Sequence, residues 1–214
     1  MFLPATDDGT YRSANHHKYA QGGAVYRWFL RRVHDELDRH LGRFRPRTVL
    51  DAGCGEGFVA AALACRRPAL RVTGVDADAG AVGYARRHFG DAAAFQTGDL
   101  YALPFDDGAF DVALCSEVLE HLDEPDRAVR ELARVARRGL VVSVPREPAF
   151  EALSRVGRAL GDVPDPGHVQ HWTPRAFAAF LRPLVGDAEV TTRGLFTVAS
   201  APVGGVAPSG VASG

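Results

Sequence analysis

Lysine is almost missing from this chain: Lys18 is the only one, so nearly all of the 25 basic residues are arginine. Against 26 acidic residues they leave a formal net charge of −1. A balance so close to zero offers no broadly basic face and argues against a nucleic-acid partner. The arginine bias therefore reads as genome composition. The pairs at 31–32, 66–67, 86–87 and 137–138 fall where helices or helix ends are expected, and read as solvated faces or favourable helix C-termini. Cysteine is scarce as well. Cys54, Cys65 and Cys115 are odd in number and show no metal or redox spacing, which implies free thiols in a reducing cytoplasm. No apolar run approaches the roughly 20 residues of a membrane span. No N-terminal stretch joins basic residues to an apolar core and a cleavage site, so no signal peptide is expected and the location reads as cytoplasmic.

What is present suits one folded domain: 214 residues, 46% hydrophobic and 24% charged. The most informative stretch is Asp51-Ala-Gly-Cys-Gly-Glu-Gly57 after the apolar Thr48-Val49-Leu50. It reads as a buried strand entering a glycine turn, then an alanine-rich helix. Gly53, Gly55 and Gly57 carry no Cβ, so a ligand can approach the backbone closely. Two phosphate motifs are absent. A dinucleotide fingerprint needs glycine where Phe58 stands, and no Gly-Lys-Ser/Thr closes the turn. Glu56 also disfavours a phosphate, so a cationic or neutral ligand group fits better.

Further along, Arg71–Asp76 reads as a second strand ending in an acid. That acid either accepts from both hydroxyls of a ribose or caps a helix. Ala94–Leu100 reads as a third strand with its exit loop, and Phe110–Leu122 as a fourth strand and a tight connection. Strands are expected near 48–52, 71–75, 93–97, 110–115, 139–144, 187–193 and 195–202. Helices are expected near 24–41, 57–66, 78–89, 125–137, 149–160 and 174–182. Thr173-Pro174 supplies a cap and a first-turn proline for the last. Alternating strands and helices imply a doubly wound, mostly parallel α/β sheet, and the two closing strands an antiparallel hairpin. Three segments are expected: 1–44, an N-terminal stretch with a cap helix; 45–202, the core; and 203–214, a flexible tail.

These four segments, in this order and spacing, resemble the class I S-adenosylmethionine-dependent methyltransferases, and most of all the ubiquinone- and menaquinone-biosynthesis-like small-molecule branch. The resemblance covers roughly residues 45–200. It implies a Rossmann-like seven-stranded sheet, S-adenosylmethionine as cofactor and a small-molecule methyl acceptor. Gly53, Cys54 and Gly55 would meet the methionine part, and Asp51 would orient the turn or meet the ammonium through water. Asp76 would hold the ribose and Ala77 would lie against the adenine. Asp99, otherwise a turn acid, and the Leu100 amide would bind the adenine edge. The Cys115 carbonyl would accept from the ammonium.

Methyl transfer is an in-line displacement, so the protein mainly aligns the acceptor and excludes water. A base is needed only where the acceptor must lose a proton. The candidates are His16 and His17 before the first helix, His168 and His171 before the last, and Glu117. For the histidines the alternative is that they only tie loops together. His121 reads as structural. Tyr19 could face the acceptor. Arg146 could clamp an acidic group on it or form a surface ion pair. The histidine clusters have no acidic partner at ligand spacing, so no metal is expected. Other functions remain open: a cofactor-binding fold that performs cyclisation or regulates a partner, and a nicotinamide dehydrogenase, which Phe58 disfavours.

Overall fold

The computed structural model describes residues 24–152 and 167–204. Helix α1 (Ala24–Gly42) leads into β1 (Thr48–Ala52), α2 (Phe58–Arg66), β2 (Arg71–Asp76), α3 (Ala79–Phe89) and β3 (Ala94–Thr97). Then come β4 (Phe110–Ser116), a 3₁₀ turn (Leu119–His121), α4 (Pro125–Val135), β5 (Ala136–Pro145), α5 (Pro174–Val185), β6 (Glu189–Arg193) and β7 (Phe196–Pro202). The seven strands form one sheet in the order β3-β2-β1-β4-β5-β7-β6. Pairs from β3 through β5 are parallel, and β7 joins β5 and β6 antiparallel. This is the doubly wound sheet with a terminal hairpin that the alternation predicts. The strand order reverses between β1 and β4.

Successive strand residues face opposite sides, so the central strands are apolar throughout and feed two cores. Leu50, Ala113, Cys115, Leu140 and Val142 face α4 and α5. Val49, Val112, Leu114 and Val141 face α1, α2 and α3. Helix α5 runs to Val185, past the expected end at 182. Pro183 stands in its last turn and forfeits only the bond to the carbonyl of Ala179.

The arginine pair at 137–138 overturns its expected place. Helix α4 stops at Val135 and β5 starts at Ala136, so both arginines lie on a strand. The register slips between Phe110↔Ala136 and Val112↔Gly139, leaving one extra residue on β5. That bulge brings Arg137 Nε and Arg138 Nε each to 2.9 Å from Asp111 Oδ1. Asp111 is fully buried, and its Oδ2 accepts from the amides of Arg47 (2.7 Å) and Thr48 (3.1 Å). Burial acts to raise this carboxyl, but the amide and arginine bonds outweigh it and hold it at about 2. The pair at 66–67 does lie at a helix end, where Arg66 reaches Asp35 (2.7 Å) and Arg67 reaches Asp38 (2.6 Å) on α1.

Polar side chains lock α1 to the terminal hairpin. His40 is fully buried, with Nδ1 2.6 Å from Ser200 Oγ and Nε2 2.9 Å from Thr191 Oγ1. Thr191 donates to Glu36 Oε1 (2.7 Å), and Arg193 donates to Glu36 Oε2 (2.9 Å). Burial, then the nearby Arg39 cation, lowers His40 to about 4, so the ring is neutral at pH 7. The sign of the pH effect follows. An unfolded histidine takes up a proton near 6.5 and the folded one does not until about 4, so stability is present above 6.5 and lost as pH falls toward 4. His40 is expected to withdraw roughly 2 kcal/mol between pH 7 and pH 5. His34, lowered to about 4 mainly by burial, acts in the same direction. Melting curves at pH 7, 6 and 5 check this: the slope should flatten in His40→Gln, and an equal slope in that variant would remove His40 as the cause.

Candidate active site

The glycine turn sits at the carboxyl end of β1, where the strand order reverses and open parallel sheets bind their ligands. Gly53, Gly55 and Gly57 have φ of +75°, +50° and +81°, the left-handed region that disfavours a side chain. Space forbids one as well. A Cβ on Gly53 would lie 2.5 Å from Val118 Cγ2, and one on Gly57 would lie 2.7 Å from Phe95.

The turn is fastened to β2. Gly53 and Cys54 both donate to the Val75 carbonyl, at 2.7 and 3.0 Å. Gly55 donates to Asp76 Oδ2 at 2.7 Å. Its first amides are therefore engaged within the protein, which is unlike a phosphate cradle, where free amides face the anion. Around the turn stand three acids. Asp51 and Glu56 are each 2% exposed, and Asp76 is partly buried. Asp51 Oδ2 is buried with no hydrogen-bond partner among the described residues. Burial, with a further push from Asp76 against the pull of the Ala60 amide, raises the Asp51 carboxyl to about 7. A cation near Asp51 would restore its charge. The turn thus suits a ligand with an ammonium or sulfonium, and S-adenosylmethionine has both.

The helix cap next to Asp76 is Asp78, whose carboxylate accepts from Gly80 and Ala81. Asp76 therefore does not cap α3. It joins the amides of Gly55 and Asp78, the latter 2.9 Å from Oδ1. Asp99 is exposed, and its Oδ1 accepts from the Tyr101 amide at 2.8 Å, a local turn. Cys54 and Cys115 are buried, and burial pushes both thiols up, so their side chains pack. Cys115 lies inside β4, one residue before its end.

Beyond β4, Glu117 has φ +58°, uncommon for a residue with a side chain. Its amide donates to the Ser143 carbonyl (3.1 Å), and its Oε1 accepts from Ser143 Oγ (2.9 Å). Ser116 Oγ lies 2.9 Å from Ser143 Oγ, so a chain of hydroxyls leads to the Glu117 carboxylate. The sequence reading missed both serines. Their meeting follows only from the strand register Ser116↔Ser143, which the sequence does not carry.

The segment 167–172 lies against the 3₁₀ turn. Val169 and Gln170 both donate to the Glu120 carbonyl, at 2.9 and 3.0 Å. His171 Nδ1 is 3.5 Å from Glu147 Oε1. His168 packs between the rings of His121 (4.9 Å between centroids) and Phe150 (5.2 Å). Arg146 forms no ion pair among the described residues; with Glu147, Pro148 and Thr192 it lines an open depression. His16, His17 and Tyr19 lie outside the described residues.

Sequence comparisons give a family match, and structure comparisons give a shared fold. Residues 50–143 match the family model described as a methyltransferase domain. A probable S-adenosylmethionine-dependent methyltransferase of Mycobacterium tuberculosis is 40% identical over 125 residues, covering 58% of this chain and 44% of that protein. A ubiquinone biosynthesis O-methyltransferase of Alkalilimnicola ehrlichii is 33% identical over 156 residues, covering 65% of this chain and 62% of that one. Two crystal structures share the fold. Magnesium protoporphyrin IX methyltransferase of Synechocystis, with bound S-adenosylhomocysteine, has TM-score 0.64 at 22% identity over 85% of this chain and 88% of its own. The [4+2]-cyclase SpnF has TM-score 0.60 at 19% identity over 79% and 80%. The fold and the glycine turn agree with that match and suit a class I, S-adenosylmethionine-dependent methyltransferase domain. The chain spans less than half the length of the mycobacterial relative.

Proposed function

We propose that this protein transfers a methyl group from S-adenosylmethionine to a small-molecule acceptor. The observation that carries it is the amide-engaged, acid-flanked glycine turn at the strand-order reversal, with the buried Asp51 oxygen beneath it. When bound, the cofactor supplies a methyl group already activated on a sulfonium.

In this reading Gly53, Cys54 and Gly55 pass along the methionine part, and Asp51 and the Cys115 carbonyl take its ammonium. Asp76 accepts from the ribose, Ala77 lies against the adenine, and Asp99 with the Leu100 amide meets its edge. The acceptor sits beside Glu117, against the wall that 167–172 builds, with Arg146 free to meet an acidic group. His16, His17 and Tyr19 enter this reading as candidates from outside the described residues. The named ubiquinone relative favours an oxygen acceptor. Its proton would pass to a base held in place by the protein. His171 beside Glu147, and Glu117 beside Ser143, have such a second group at hand.

The test is to incubate the protein with S-adenosylmethionine and a panel of phenolic acceptors and to follow S-adenosylhomocysteine. Release that depends on acceptor is expected. A cyclase reading, which the fold shared with SpnF keeps alive, predicts cofactor binding with no such release. For the base, His171→Ala is expected to lower turnover about 10²-fold or more while leaving S-adenosylhomocysteine affinity intact. A parallel fall in affinity would make His171 a structural tie, and unchanged turnover would pass the role to Glu117.

A further inference from the structure

We propose that Glu120, His121 and His168 form a binding site for a divalent transition-metal ion. Glu120 and His121 lie on the 3₁₀ turn after β4, while His168 arrives from the segment before α5. The fold supplies the acidic partner that the histidine clusters lack in sequence. One ligand atom from each of the three lies within 4.8 Å of the others. Glu120 Oε1 is 4.0 Å from His121 Nε2. A tetrahedral ion with bonds of about 2.0–2.1 Å needs its ligands roughly 3.3 Å apart, so side-chain adjustment of about an ångström closes the site.

The surroundings already hold these groups in place. Two amides of the 167–172 segment converge on the Glu120 carbonyl. Gln170 Nε2 donates to the Leu122 carbonyl at 3.2 Å on the other side of His121. The Gly167 carbonyl lies 3.4 Å from His121 Nδ1, which would keep the proton there and leave Nε2 to the metal. Phe150 packs against the His168 ring. His171 is not part of this set, since its Nδ1 faces Glu147.

Two imidazoles and one carboxylate select the ion class. Zinc, cobalt and nickel accept this nitrogen–oxygen set, whereas magnesium and calcium require oxygen ligands. Glu120 is 1% exposed and His121 is exposed, so the site has a buried anchor and an open side. Three protein ligands leave a coordination position for water or for an acceptor oxygen. The ion would also fasten the 3₁₀ turn to the wall of the acceptor side. Metal binding stands apart from methyl transfer: either can hold without the other.

The test uses the untagged full chain, stripped with chelator, and cobalt(II) or zinc chloride alone. Calorimetry should show one ion per chain, with the cobalt form developing visible absorption of a low-coordinate site. Loss of an outer-shell partner costs a metal site 10–100-fold, so His121→Ala and His168→Ala, each losing a direct ligand, should weaken binding by at least about 100-fold. Glu120→Gln should do the same. Because Glu120 is buried, the two histidine variants decide the matter if it fails to fold. The metal should raise the melting temperature of the wild type and not of these variants. The double variant His16→Ala/His17→Ala should bind as wild type does. No binding by the wild type, or equal binding by the His121 and His168 variants, overturns the site. Loss of binding only in the His16/His17 variant moves it to the N-terminal stretch and equally overturns it.

Discussion

Gly53→Ala is expected to weaken S-adenosylhomocysteine binding at least about 100-fold, or about 2.7 kcal/mol. Two causes add. The backbone at Gly53 holds φ +75°, which costs a residue with a Cβ roughly 1–2 kcal/mol. The new methyl would also stand 2.5 Å from Val118 Cγ2 and 3.0 Å from Cγ1, and overpacking of that kind costs about 1–3 kcal/mol. The turn can escape only by moving, and it is bonded to β2 through Gly53, Cys54 and Gly55. Calorimetry with S-adenosylhomocysteine measures the loss, and a melt measures the strain. In Gly53→Ala/Val118→Ala the two closest contacts go, while a tight 3.2 Å contact with the residue-118 Cβ and the left-handed strain stay, so part of the affinity should return. Wild-type affinity and melting temperature in the single variant would show that the turn is not where the cofactor lies.

Asp76→Ala is expected to cost about 2–3 kcal/mol of cofactor binding, roughly a 30–150-fold rise in Kd, as for hydrogen bonds to a charged group. The residue has two tasks. Its carboxylate joins the amides of Gly55 and Asp78, and each oxygen has a second lone pair to offer a ribose hydroxyl. Asp76→Asn separates the two. The amide oxygen can still accept from one backbone N–H, but the NH₂ group cannot accept from anything. Stability should therefore fall less in Asn than in Ala, while affinity falls in both. A normal Kd beside a lowered melting temperature would mean that Asp76 serves the turn alone.

The sequence was most legible where one local stretch carries the whole signal. The glycines at 53, 55 and 57 mark a tight turn, because glycine adopts freely the positive φ angles found there. The apolar runs at Val49-Leu50 and Leu140–Val142 read as strands, and both faces are covered. Thr173 caps α5 by accepting from Ala176, as its position before Pro174 predicts.

Legibility ended where a side chain's meaning depends on a distant partner. Arg137 and Arg138 look like a helix end until a bulge and a buried Asp111 draw both onto a strand. Asp76 reads either as a cap or as a ribose acceptor, and the question of the cap is decided only by Asp78 taking the helix amides. Glu120 gives no sign in sequence of meeting His168, which stands beyond α4 and β5 and is placed only by Val169 and Gln170 bonding back to the 3₁₀ turn. Sequence alone thus determined the strand–turn–helix grammar, and with it the class of domain, since backbone sterics and hydrophobic periodicity act over a few residues. Tertiary structure alone decided which acids share a turn, which arginines pair with a buried acid and which histidines meet a carboxylate. Those outcomes rest on through-space distances of a few ångströms between residues far apart in the chain, which spacing along the chain does not encode.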